Sequence, residues 1–119
     1  MAATADDVRR LALALPSTTE KLAWGMPTFR VAGKIFVWLG EDDASMGMKC
    51  PIEERAELIQ AEPDKFFLRD GHDDTGNWIR VHLSAVDDED ELRAMVVDAW
   101  RLTAPKRLAA EHGEPGVGS

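Results

Sequence analysis

At 119 residues, 45% hydrophobic and 30% charged, the chain has the composition of one globular domain, large enough to bury a core without disulfide or metal staples. That balance excludes a disordered chain, and no run approaches the roughly 20 apolar residues that cross a bilayer. The net charge of −8 opposes any general long-range affinity for nucleic acid or anionic lipid. The single cysteine, Cys50, cannot form an internal bridge, as expected in a reducing compartment. Asp6 and Asp7 stand where an export signal wants positive charge, and the run Leu11 to Leu15 is too short for its apolar segment. The expectation is a cytoplasmic monomer with no membrane partner.

Thr4 opens a first helix, with Asp7 three residues on to complete a cap. Val8, Leu11, Ala12 and Leu15 give it one core-facing stripe, and Pro16 stops it. Ser17 to Lys21 reads as a polar link. The stretch from Trp24 to Leu39 is dense in Val, Ile, Phe and Trp. It reads as a lead-in around Gly25, Met26 and Pro27, a strand, a reversal at Ala32-Gly33 and a second strand. In that second strand Ile35, Val37 and Leu39 alternate with Lys34, Phe36 and Trp38. Both rows are largely apolar, the pattern of a strand covered on both faces. Gly40 to Asp43 is an acidic turn, and Ser45 to Cys50 a third strand with Met46, Met48 and Cys50 on one side and Gly47 and Lys49 on the other.

Pro51 suits the start of a second helix, with Glu53, Glu54 and Glu57 toward its positive end and a buried stripe of Ile52, Ala56 and Ile59 beside Leu58. Phe66 to Leu68 is a short strand, Asp70 to Asn77 a polar loop, and Trp78 to Leu83 a strand with Trp78, Arg80 and His82 on one face. Asp87 opens a long helix, with Leu92, Met95, Val96, Ala99 and Trp100 at helical spacing, ending before Pro105. A short turn follows to Ala110. The predicted class is α+β, a mainly antiparallel sheet with helices packed on it in the order α-β-β-β-α-β-β-α. It forms one domain over 1–112 with a flexible tail over 113–119.

The chemistry-bearing residue types do not assemble into a catalytic constellation. The loop from Asp70 to Gly76 has the look of a calcium loop, but Thr75 stands where glycine is wanted and Val81 where a bidentate glutamate is needed. Gly33-Lys34 lacks the upstream glycine of a phosphate loop. Cys50 and His82 could pair as nucleophile and base, yet Cys50 shares its row with Met46 and Met48, so a buried structural thiol is the better reading. No enzyme activity, metal or cofactor is expected. What the pattern offers is a surface: Trp78, Arg80 and His82 on one sheet face, joined by Gly47 and Lys49, with Arg30 and either Lys34 and Trp38 or their alternates extending it. Aromatics beside single cations suit bases and phosphates. Ordinary cross-strand packing explains the same residues.

Glu20-Lys21, Trp24-Gly25, Pro27 to Val31, Gly33-Lys34 and Phe36, followed by Asp98 to Arg101 and Ala104 to Leu108, resemble the MmcQ/YjbR family from about Val8 to Ala110. The resemblance implies a YjbR-like α+β fold, a DNA-binding role as commonly described for the family, and no established catalytic residue or cofactor. It carries over the basic and aromatic positions Lys21, Trp24, Arg30, Lys34, Lys49, Trp78, Arg80, Lys106 and Arg107. Trp24 and Trp100 fit core plugs equally well, and Lys106 and Arg107 fit complements of a helix C-terminus. Two readings lead, a salt-dependent nucleic-acid face, or a pocket for a small anionic ligand or peptide walled by Trp24, Arg30 and Trp78, ahead of a third, an enzyme whose groups follow no recognised pattern. A continuous positive stripe favours the first and a closed cavity around one arginine the second.

Overall fold

The Thr4 hydroxyl accepts a hydrogen bond from the Asp7 N–H at 3.2 Å, while the Asp7 carboxylate accepts from the Thr4 N–H at 3.0 Å. This is the predicted capping box, and it starts helix α1 (Ala5–Leu13). The backbone bond from Thr4, above all, holds the Asp7 carboxyl below its ordinary range. The stability this contributes is present above the ordinary carboxylate pKa and is lost as pH falls through the lowered value. Val8, Leu11 and Ala12 are buried as the spacing requires, and Leu15 joins them just past the helix end.

The computed structural model describes residues 2–40, 44–69 and 76–111. After α1 come β1 (Thr18–Ala23), β2 (Met26–Val31), β3 (Lys34–Leu39), β4 (Ser45–Lys49), α2 (Ile52–Ala61), β5 (Phe66–Phe67), β6 (Trp78–His82), α3 (Glu89–Thr103) and α4 (Lys106–Glu111). The six strands form one sheet in the order β1-β2-β3-β4-β6-β5, every neighbouring pair antiparallel. The α+β class and its mainly antiparallel sheet are those predicted. Segments 41–43, 70–75 and 113–119, covering the predicted acidic turn, most of the predicted polar loop and the predicted tail, lie outside the described residues.

The stretch predicted as a polar link is instead the edge strand β1. Its sequence TTEKLA carries no apolar alternation, because among the described residues it pairs with β2 alone and four of its six residues are exposed. Trp24-Gly25 turns the chain from β1 into β2, and Ala32-Gly33 from β2 into β3. All four residues have positive φ (53°, 79°, 51° and 81°), as two-residue hairpin turns require. Pro27 lies inside β2, opposite Leu22 of the edge strand, rather than in a lead-in.

Helices cover one face of the sheet. α3 packs on β3 and β4, and α1 packs on α3 and on the edge at β1 and β2. The strand residues facing them are Phe29, Val31, Val37, Leu39, Met46, Met48, Ile79 and Val81, all buried. The two apolar rows of β3 do not mean cover on both faces. A bulge shifts the β2–β3 register between Phe29, opposite Val37, and Arg30, opposite Ile35. Phe36 is the extra residue, so Phe36 and Val37 both enter the helical core, each fully buried, while Ile35 and Trp38 emerge on the other face half-buried.

Two further predictions shift. The cap of α3 is Asp88, which accepts from the Asp90 N–H at 2.9 Å, one residue later than expected. The inward residue of α2 is Arg55, not Ile52 or Ala56, which are exposed. Arg55 donates from Nη1 to the Trp78 carbonyl at 3.2 Å, fixing the helix to β6, while Leu58 and Ile59 pack partly on the core. Lys65 is also buried, and its ammonium donates to Glu62 at 2.8 Å and to Glu91 of α3. The bonds to Glu62 and then Glu91 raise its pKa against the effect of burial.

Trp100 of α3 is fully buried, and its Nε1 donates to the Pro16 carbonyl at 3.2 Å, clamping the end of α1 to the far helix. Trp100→Ala should cost roughly 3–5 kcal/mol of stability by urea unfolding. A loss below about 1 kcal/mol would contradict this packing.

Candidate functional site

Alternation along the strands sends every second residue to the face without helices. One rung of directly opposed residues crosses all six strands there: Lys21, Thr28, Trp38, Gly47, Arg80 and Phe67. Each position has a physical role. Gly47 lies under the Trp38 indole, and a Cβ built on it would sit 2.0 Å from Trp38 Cε2, so only glycine lets the ring lie across β4. The Arg80 guanidinium stands 4.6 Å from the Trp38 ring centroid. Along the same face the Lys49 ammonium sits 4.5 Å from the Trp78 ring centroid. Phe67 and His82 stack with centroids 3.9 Å apart and planes 13° apart. Contacts of this kind hold cations and rings in fixed positions beside each other.

Thr28 is nearly fully buried on this otherwise open face. Its hydroxyl donates to the Lys21 carbonyl at 2.6 Å and accepts from Arg30 Nε at 3.2 Å. Trp24, by contrast, is 86% exposed at the tip of the β1–β2 turn, so it is not a core plug; Trp100 is.

Among the described residues, charge is segregated between the two sides. The strands carry five cations, Lys21, Arg30, Lys34, Lys49 and Arg80, and one carboxylate, Glu20. Glu20 lies opposite Phe29, on the helical side, where it takes Arg9 of α1 at 3.0 Å. Ion pairs seen among the described residues gather on that side: Arg10 with Asp7 and Glu89, Arg93 with Glu89 and Asp90, Lys65 with Glu62 and Glu91. The open face holds a cleft of about 1030 Å³ between Trp24, Met26, Trp38, Arg69, Arg80 and His82. A smaller hollow of about 440 Å³ lies at the β2–β3 turn, among Arg30, Lys34, Lys49 and Trp78. The two share Ile35, and no Asp or Glu among the described residues lines either one.

The nine predicted site residues thus fall into groups. Lys21, Arg30, Lys49, Trp78 and Arg80 project from the open face, Lys34 borders the hollow at its turn, and Trp24 stands at the rim of the cleft. Trp24, Arg30 and Trp78 do not wall one pocket: the first lines the cleft, the other two the hollow. Lys106 and Arg107 line neither; they are exposed on α4, whose Ala109 is buried in the helical core. The short strand predicted at Phe66 is β5, and its pairing with β6 at the sheet edge, which the sequence does not give, is what brings Phe67 to this face. Thr28 and Arg69 carry no sequence signal beyond their spacing to Arg30 and Phe67. Cys50 and His82 stand at opposite ends of the β4–β6 ladder, so they form no nucleophile pair. Burial pushes the Cys50 thiol pKa up, with Glu54 adding to the shift and Arg55 opposing it. Among the described residues no three His, Cys, Asp or Glu side chains converge as metal ligands, and no helix is long and apolar enough to cross a membrane.

Gly47→Ala should drive the Trp38 ring off the sheet, lowering stability by roughly 1–3 kcal/mol and changing the tryptophan emission. Melting and emission equal to the parent protein would show that the indole does not lie across Gly47.

Among solved structures, the chain is similar to DR2400 of Deinococcus radiodurans, a protein with a DUF419 domain. The TM-score is 0.75 at 21% identity, over 97% of this chain and 91% of that one, a likeness of fold. No curated protein matches. The YjbR family model matches residues 13–102, which span the edge strand, the bulged hairpin, the open face and nearly all of α3. The chain belongs to the YjbR family.

Proposed function

We propose that the protein is a non-enzymatic binding domain whose open sheet face takes single-stranded nucleic acid. Bases stack on its indoles and phosphates meet its spaced cations. The segregation of charge supports this most directly. Among the described residues of this chain of net charge −8, the strands set four cations, Lys21, Arg30, Lys49 and Arg80, on the open face, with Lys34 at its turn, and the strand carboxylate Glu20 faces the helices. Stacking on an aromatic side chain is worth about 1–3 kcal/mol per base and tolerates any sequence. A single strand fits better than a duplex, because Trp38 lies within a concavity that unstacked bases can enter. A duplex is read by an element that protrudes into a groove, and this face is concave. The same concavity favours a second reading, in which the cleft between Trp24, Trp38 and Arg80 takes a small anionic ligand or peptide.

Tryptophan fluorescence should be quenched by a short single strand at micromolar concentration in low salt, and less by the matching duplex. With about four phosphates engaged, affinity should fall roughly fifty-fold between about 50 and 200 mM salt. Arg30→Ala or Arg80→Ala should weaken it further. No response at low salt removes the nucleic-acid reading; a rise in melting temperature with small anions would then support the second.

A further inference from the structure

The small hollow at the β2–β3 turn is built differently from the large cleft. Three cations, Arg30, Lys34 and Lys49, border one space of about 440 Å³ with no carboxylate among the described residues lining it. Arg30 is aimed. Its Nε donates to Thr28 Oγ1, and Thr28 is in turn fixed by its bond to the Lys21 carbonyl. That leaves the two terminal nitrogens of the guanidinium, the fork that takes two oxygens of one phosphate, as its outward donors. Lys49 is steadied over the Trp78 ring. Leu102 and Thr103, at the C-terminal end of α3, also border the hollow. The Thr103 hydroxyl is spent on the Ala99 carbonyl at 3.0 Å, and Leu102 offers no polar group.

We propose that this hollow is a subsite for a terminal phosphate monoester, the end of the single strand held on the open face; it rests on the nucleic-acid reading. An internal phosphodiester carries one negative charge, whereas a monoester at neutral pH carries about −1.5 to −2 and offers three terminal oxygens. Three cations around one space match the second group. Arg30 takes two oxygens, Lys49 and Lys34 meet the third, and the Trp78 ring supports the adjoining nucleoside.

The test compares one short single-stranded DNA with a 5′-phosphate, a 3′-phosphate or hydroxyls at both ends, titrated by tryptophan fluorescence at physiological salt. One phosphorylated form should bind about ten-fold tighter than the hydroxyl form, the gain of an added charge-assisted contact. Arg30→Gln, Lys34→Gln and Thr28→Val should each bring that ratio toward one. Because Lys34 is exposed at a turn, Lys34→Gln keeps the fold and guards against simple unfolding. Equal binding of all three strands overturns the subsite and leaves the nucleic-acid reading standing. If no strand binds, that reading fails, and inorganic phosphate followed by the NMR indole N–H signals decides the subsite. A selective shift of Trp78 retains it as a phosphate site, and an unmoved Trp78 overturns it.

Discussion

The structure turns on the bulge in β3. Helices cover only one face of the sheet, so each strand has one face to bury and one to leave open. β3 brings four large apolar residues in a row, Phe36 to Leu39, which strict alternation would divide between the two faces. By inserting Phe36 as an extra residue, the bulge turns Phe36, Val37 and Leu39 all inward and leaves Trp38 alone to emerge. The Trp38 indole then needs room on the neighbouring strand, and the register supplies it by placing Gly47 directly opposite. One local irregularity thereby fills the core and sets the central ring of the open face.

Among the described residues, charge segregation sets cations on the open face of an acidic chain. The carboxylates of α1 and α3 sit on the helical layer and engage Arg9, Arg10, Lys65 and Arg93 there. Layers of a packed domain are separated by roughly 10 Å, about one Debye length at physiological salt. On the proposed reading, the described groups nearest an anion on the open face are Lys21, Arg30, Lys49 and Arg80, and the net charge of −8 acts on the approach from a distance. Fixing Arg30 through Thr28, and Lys49 over Trp78, lowers the ordering cost when an anion arrives.

Much of the fold was legible in the sequence because local rules and tertiary packing agree there. Thr4 and Asp7 cap α1, Ala32-Gly33 turns the hairpin, and the spacing from Leu92 to Trp100 buries α3 as expected. The edge strand β1 was not legible, since an edge strand needs no apolar alternation. The bulge was hidden too: its signal, apolar residues on both rows of β3, is also that of a doubly covered strand. In α2, apolar residue type pointed to Ile52 and Ala56, while the buried hydrogen bond from Arg55 to the Trp78 carbonyl decides the inward face. The site was legible as Trp78, Arg80 and Lys49 on one face. The part of Thr28 depends on a carbonyl seven residues away across the β1–β2 hairpin, which no spacing reveals.

The central claim is that the ligand lies on the open sheet face, and the most direct measurement is a residue-resolved NMR titration with a short single-stranded DNA in low salt. The account predicts shifts for the indole N–H signals of Trp38 and Trp78, with Trp100 unmoved. Side-chain signals should change with a two-residue period along β2, β4 and β6, at Thr28 and Arg30, Lys49, Trp78 and Arg80, together with the α-proton signals of Gly47. Shifts confined to α1, α3 and α4, or spread evenly over both sides of the sheet, would contradict it.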